Sequence, residues 1–390
     1  MKTVAVFFGG QSTEHDVSIV TALSSIIKPL ELTNKYLVIP VYIARDGRWY
    51  FDDKLKKIET YQTNDIVNII ELQKPIRIQL GSGLKIIKPT RIGKRDYEID
   101  IDIAFPSMHG TRGEDGDLMG ILEMSNIPYV GCGVQASAIA MDKVTSKQIT
   151  TENGIKTPPW MWFYDVEFNN SLELLVRKIN KLKYPLFVKP AHLGSSIGIS
   201  KVEKSTDLVK ALEVAVHYDN KVVVESAVNN LIEVTLPIIG NKNLTPAFLE
   251  QPLLVKDKEF FDFANKYLSS SGKKGGKGAG GGAQGYSKLP ADLPKKLYDK
   301  AVEVGLNSYK AIGCEGIARV DMLIDSKKEI VYFNEINPLP GSLYAHNWRK
   351  SGLSSIDLVE KLLELAESRH KDQNSKNITF STNFLKQSKI

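Results

Sequence analysis

Short apolar runs closed by glycine alternate along this chain with longer stretches of helical period. Val4–Phe8 is apolar throughout and ends at Gly9-Gly10, the pattern of a strand buried on both faces of a parallel sheet. Gly9–Asp16 reads as a loop. Val17–Ile27 follows with apolar residues at Val17, Val20, Leu23 and Ile27, a helix that Pro29 should stop. Tyr36–Ile43 and Ile101–Phe105 read as further strands, Leu118–Met124 as a helix, and Tyr129–Val130 as a short strand before Gly131. This alternation predicts a parallel sheet covered by helices.

Beyond it, Pro185–Pro190 is a strand, Gly194–Gly198 a glycine- and serine-rich turn, and Ile197–Val202 the returning strand. Thr206–Val216 is helical and Lys221–Glu225 extended. Glu233–Ile239 and Ala318–Ile324 read as strands with the helix Lys295–Tyr309 between them. Ile330–Phe333 pairs with Ala318–Ile324 across the polar turn Asp325–Lys328, and Ser355–Glu367 is a closing helix. The residues after Ala366 lack an apolar period and read as a loose tail. From Gly272 to Gly285, eight glycines and three lysines in fourteen residues exclude a regular element, leaving a surface insertion or a lid extension. The expected fold class is thus a multidomain α/β and α+β chain.

Composition narrows the function classes. At 390 residues, two or three domains of about 150 residues are expected. The net charge of +6 is too mild and too dispersed to imply nucleic acid as a partner. Cys132 and Cys314 give neither a disulfide framework nor metal-ligand spacing, so reduced thiols are the simpler reading. No run approaches the roughly 20 apolar residues that cross a bilayer. The opening strand runs into an acidic turn without a cleavage site, so no membrane association and a cytoplasmic location are expected.

Chemistry concentrates at strand ends. Arg319 and Asp321 lie two apart, so a strand points both to one face, and Glu335 and Asn337 repeat that spacing across the turn. Two carboxylates and an amide oxygen suit a hard cation such as Mg²⁺, although a solvated strand end with a surface ion pair has the same pattern. Lys189 leaves an apolar strand beside the Gly194–Gly198 turn, where phosphate oxygens would find a lysine and backbone N–H donors. Lys143 follows Met141-Asp142. His109–Gly116 and Glu14-His15 fall just past the carboxyl ends of predicted parallel strands, where such sheets bind ligands.

Taken in order, these segments resemble the D-alanine–D-alanine ligases of the ATP-grasp superfamily. The resemblance runs through Gly9–Ser18, His109–Gly116, Ile127–Gly131 with Met141–Lys143, Phe187–Pro190 with Gly194–Gly198, Phe261–Tyr267, Ala318–Asp321, and Asn334–Asn337 with Pro340-Gly341. It implies an N-terminal domain over residues 1–125, a central ATP-grasp subdomain over 126–225, a C-terminal ATP-grasp domain over 226–365 and a polar tail over 366–390. It implies ATP, two Mg²⁺ or Mn²⁺ ions, D-alanine with a second D-amino acid or related acceptor, and a homodimer. Such an enzyme moves the γ-phosphoryl of ATP onto the first D-alanine, and the amine of the second attacks the acyl phosphate.

Residue by residue, the resemblance implies that Glu14 binds the first ammonium, with Ser195 and Tyr267 in a hydrogen-bonded network with it. Lys143 and Lys189 contact ATP phosphates, Ser195 also lies in the ATP site, and Lys266 is the lid lysine that reaches the transferring group. Arg319 and the backbone around Gly341 stabilise the oxyanion; Asp321, Glu335 and Asn337 hold the metal. Glu225 meets adenine and Glu233 the ribose. Three departures accompany the likeness. Met119 replaces a common glutamine, and Glu225 and Glu233 stand one residue further apart than usual. Pro340-Gly-Ser-Leu-Tyr344 is about four residues shorter than the loop whose serine, matched here by Ser342, grips the acceptor carboxylate. D-lactate, D-serine or another amino acid therefore stand as alternative acceptors. A non-catalytic nucleotide-binding relative and a scaffold using the glycine-lysine stretch are competing classes.

Overall fold

The computed structural model describes residues 1–81, 83–90, 93–194, 196–253 and 287–376. Three four-stranded sheets carry the architecture. In the first, Lys2–Gly9 lies between Tyr36–Ile43 and Ile103–Pro106, parallel to both, and Trp49–Phe51 closes one edge antiparallel. Phe7 and Phe8 are both fully buried, as a strand covered on two faces requires. The second sheet is antiparallel, ordered Ser200–Val202, Leu186–Pro190, Lys221–Ser226, Trp160–Tyr164. The third, also antiparallel, is ordered Thr245–Pro246, Leu231–Ile239, Ile317–Asp325, Ile330–Asn337. No described helix is long and apolar enough to cross a membrane.

Several elements depart from the sequence reading. Pro29 does not stop the first helix. His15–Thr21 passes through π-type turns at Ala22–Ile27 into Lys28–Thr33, with Pro29 directly after the wider turns. The helix ends instead at Asn34, which is left-handed with φ 55°. Its buried stripe runs through Ile19, Ala22, Ile26 and Leu30, leaving Val20 exposed. The expected strand Ile101–Phe105 is split at Asp102, whose carboxylate accepts from Thr3 N–H at 2.7 Å. Tyr97–Ile101 belongs to a separate sheet with Arg77–Leu80 and Leu84–Lys88, while Ile103–Pro106 joins the parallel one.

Residues 367–374 are not loose. The last helix runs Ser355–Asn374 and buries Arg369, whose guanidinium donates to the carbonyls of Gly131 and Tyr129. Elsewhere the helix Lys295–Ile312 ends at left-handed Gly313, φ 77°, and packs on the third sheet, with Gly305 facing Leu236 and Met322. The glycine-lysine stretch 272–285 lies outside the described residues.

Candidate functional site

The carboxyl ends of the parallel strands deliver the first carboxylate. Past Gly9, the chain turns and places Glu14 just before the helix His15–Thr21, where it is 6% exposed. Its N–H donates to Ser12 Oγ, which in turn donates to the carbonyl of His109 on the loop after Ile103–Pro106. A Cβ added at Gly110 would lie 3.1 Å from Glu14 Oε2, and one at Gly194, on the second sheet's turn, 3.2 Å from the same oxygen. The carboxylate is therefore wedged between loops of two different sheets. His15 instead is structural: its ring contacts the Gly10 carbonyl at 2.6 Å and the Tyr42 hydroxyl at 3.1 Å.

His109 and Glu114 form a buried pair at 3.4 Å, and Glu114 also accepts from Gly110 N–H at 2.8 Å. Burial opposes charge on His109, yet the hydrogen bond and negative charge of Glu114 raise its pKa overall. Burial likewise raises Glu114. The far ring nitrogen of His109 lies 3.0 Å from Thr21 Oγ1, which also accepts from Ser342 N–H at 2.9 Å. Thr21 thus links the histidine loop to the turn after Gly341.

The helix Lys143–Glu152 brings two lysines four residues apart. Asp142 caps it through Val144 and Thr145 N–H. Lys143 donates to the Leu193 carbonyl at 2.7 Å and lies 3.5 Å from Glu335. Lys147, one turn on, is 1% exposed and lies 2.9 Å from Glu225 Oε2. Lys189 donates to Glu225 Oε1 and stands 3.5 Å from Asn334 Oδ1. Burial would push the Glu225 carboxyl up, but Lys147 and Lys189 together draw it down to about 2. Burial lowers Lys147, while Glu225 outweighs the burial of Lys189 and raises it.

On the third sheet, Asp321 is in register with Glu335, and Arg319 with Asn337. Burial alternates along Ile317–Asp325, so Arg319 and Asp321 share the open face. An irregularity in the pairing leaves Asn334 as an extra residue and turns Glu335 and Asn337 onto that face. Arg319 forks onto both oxygens of Asp321, at 2.8 and 2.6 Å, and its guanidinium lies 5.2 Å from the Tyr344 ring. Among the described residues no group of three or more His, Cys, Asp or Glu side chains forms a metal cluster. The set here is two carboxylates and an amide, oxygen donors alone, which fits a hard divalent cation.

One cleft joins these parts. Glu14, Glu114, Lys143, Gly194, Arg319, Glu335 and Asn337 line it, and Asp321 adjoins it through Arg319. Glu225 and Lys189 connect to it through Asn334. Glu233 lies on the same sheet face as Asp321, two residues before Thr235, which is Asp321's partner in register, and its charge is felt at Lys189. Gly341 and Ser342 start a short turn in which Ser342, Leu343 and Tyr344 all have φ near +52°. Ser195, Lys266 and Tyr267 lie outside the described residues. Sequence reasoning did not assign Thr21, Lys147, Asn334 or Tyr344. Only Lys147 had a signal, its i,i+4 spacing from Lys143.

Two family models match the chain: the D-ala D-ala ligase N-terminus over residues 3–132 and the D-ala D-ala ligase C-terminus over residues 149–364. The D-alanine–D-alanine ligase of Acetivibrio thermocellus is 36% identical over 384 residues, covering 95% of this chain and 97% of the relative. Among solved structures, the D-alanine–D-alanine ligase from Coxiella burnetii superposes with a TM-score of 0.77 at 28% identity, covering 96% of each chain. The VanG D-Ala:D-Ser ligase from Enterococcus faecalis gives 0.74 at 31% identity, covering 94% of this chain and 99% of that one. The multidomain α/β architecture, an N-terminal sheet domain followed by an ATP-grasp-like fold, is common to them. The chain belongs to the D-alanine–D-alanine ligase family.

Proposed function

We propose that this chain joins D-alanine to a second D-alanine using ATP, giving D-Ala-D-Ala, ADP and phosphate for peptidoglycan synthesis. The observation that carries the reading is the cleft in which Glu14, Lys143, Arg319, Glu335 and Asn337, drawn from distant parts of the sequence, converge.

A carboxylate is a poor acyl donor, so the reaction begins by moving the γ-phosphoryl of ATP onto the first D-alanine. Glu14 would hold the ammonium of that D-alanine, its carboxylate fixed between Gly110 and Gly194. Lys143 and Lys189 would orient the phosphates. Asp321, Glu335 and Asn337 would hold divalent cations, which would supply positive charge to offset that of the phosphates. Arg319 and the backbone at Gly341 would stabilise the oxyanion as the second amine attacks, and Ser342 would meet the acceptor carboxylate. Catalysis is then positioning and electrostatics, with no nucleophile from the protein. Ser195, Tyr267 and Lys266 would complete the substrate network and the phosphate contacts, with Glu225 and Glu233 at adenine and ribose.

A D-serine acceptor is the second reading. The likeness to a D-Ala:D-Ser ligase favours it. The test incubates purified protein with ATP, Mg²⁺ and D-alanine, alone or with D-serine or D-lactate, and reads product mass and phosphate release. D-Ala-D-Ala as the main product is expected. Turnover confined to another acceptor would overturn the assignment.

A further inference from the structure

We propose that Lys147 is a positioning residue for nucleotide binding: it is the standing counter-ion of Glu225 and so frees Lys189 to turn from that carboxylate to the nucleotide's phosphates. The inference rests on the reading of Glu225 and Lys189 as nucleotide-site residues given above.

Two lysines serve one carboxylate here, and they differ in their freedom. Glu225 is 1% exposed, in the middle sheet, with Lys189 on Oε1 and Lys147 on Oε2. Lys189 leans toward the cleft: its ammonium also reaches Asn334 on the bulged strand and lies 5.6 Å from the Phe187 ring. Lys147 is held on the other carboxylate oxygen. It rises from the second turn of the helix Lys143–Glu152, is as deeply buried as the carboxylate, and lies 2.9 Å from Oε2. That approach misses hydrogen-bond alignment: among the described residues neither Lys147 Nζ nor Glu225 Oε2 makes a hydrogen bond. The contact is a close charge pair.

A buried carboxylate stripped of its last counter-ion is strongly disfavoured. With Lys189 as its sole partner, Glu225 would hold that lysine back from any phosphate. With Lys147 fixed beneath it, the carboxylate stays balanced when Lys189 departs. Lys143 and Lys147 divide the work along one helix face: the first enters the cleft at Leu193 and Glu335, the second neutralises the floor.

The test is a double-mutant cycle on the full chain with Lys147→Met, Glu225→Gln and the two combined, plus Lys147→Arg. Binding of a non-hydrolysable ATP analogue is measured by calorimetry, and the D-alanine KM separately. Lys147→Met is expected to weaken the analogue about tenfold or more while the D-alanine KM moves less than about twofold. In the Glu225→Gln background, which has no buried carboxylate to balance, the same change should alter affinity less than about twofold. Lys147→Arg, which keeps the charge, should recover most of the loss. Unchanged affinity in a folded Lys147→Met, or an equal loss in both backgrounds, would overturn the proposal. If Lys147→Met alone fails to fold, the combined variant must fold, and its failure would equally refute the pairing. A wild-type protein that binds no ATP analogue would instead refute the proposed function.

Discussion

Replacing Arg369 with methionine isolates the guanidinium's contribution, because methionine keeps most of the stem's packing. The guanidinium is 4% exposed, donates to the carbonyls of Gly131 and Tyr129, and lies 4.2 Å from the Tyr129 ring centre. Hydrogen bonds from a charged donor contribute about 1.5–3 kcal/mol each. The cation–π contact adds about 0.5–2 kcal/mol. The Glu315 carboxylate, at 4.0 Å and 36% exposed, adds little. These contacts share one side chain and are not additive, so the expected loss is about 3–5 kcal/mol. The loss should fall locally as well as globally. Gly131 packs against Gly316, where an added Cβ would meet the Gly131 carbonyl at 3.0 Å, and Gly316 leads into the strand bearing Arg319 and Asp321. Denaturant titration gives the total, and hydrogen exchange by mass spectrometry gives the place. Faster exchange is expected at 129–132 and along Ser355–Asn374. A loss below about 1 kcal/mol with unchanged exchange at both segments would refute the clamp.

Two further outcomes follow from the geometry around the cleft. Gly194 is not left-handed, so Gly194→Ala adds a methyl without backbone strain and presses it against Glu14 Oε2. A drop of about tenfold in kcat/KM for D-alanine is expected, larger than any loss of ATP-analogue affinity; equal loss for both ligands would contradict the placement of Glu14 at the amino-acid side. His192 contacts Asp142 and Asp219, and their hydrogen bonds raise its pKa to about 9, while Asp142 is further held by Lys221. The folded state therefore binds the His192 proton more tightly than the unfolded chain. Its stabilisation is complete below pH about 6.5 and lost as pH rises through about 9. The ring is 46% exposed, so screening leaves about 1 kcal/mol of effect. Unfolding of wild type and His192→Gln from pH 6 to 10 should show a stability gap that closes with pH, and a constant gap would exclude the mechanism.

The sequence carried the site further than it carried the fold's connections. Period-two spacing placed Arg319 with Asp321 and Glu335 with Asn337, because a strand's alternation is local and strict. The extra residue at Asn334 was invisible: no residue type signals it, and only the partner strand's register reveals that burial switches phase between Phe333 and Glu335. Pro29 misled for a related reason. Proline usually ends a helix, but here it directly follows π-type turns, whose wider bonding goes with the helix continuing past it. The stretch after Ala366 looked unanchored because its helix buries an arginine rather than apolar residues, and a buried guanidinium leaves no hydrophobic period. Lys147 was passed over because a lysine is usually solvated. Its burial depends on a carboxylate 78 positions away in sequence, in Lys221–Ser226.

The turn proposed to meet the acceptor depends on backbone geometry that composition cannot express. The missing residues after Gly341 are visible in the sequence, but not how the shorter connection closes. Ser342, Leu343 and Tyr344 take φ values of 52°, 52° and 53° in succession, a conformation that disfavours each non-glycine residue by about 1–2 kcal/mol. Such a run persists only where its surroundings over-determine it, and here they do. Thr21 takes the Ser342 N–H, Leu343 is fully buried, and the Tyr344 ring packs 5.2 Å from the Arg319 guanidinium with its hydroxyl 3.4 Å from Thr235. Burial pushes the Tyr344 phenol up to about 12, so it stays neutral at working pH and offers Arg319 a ring face without a competing charge. The strained turn thereby fixes an aromatic wall beside Arg319 and ties it, through Thr21 and His109, to the loop that holds Glu14. A change of acceptor would have to be accommodated by this whole linked set, rather than by the serine at position 342 alone.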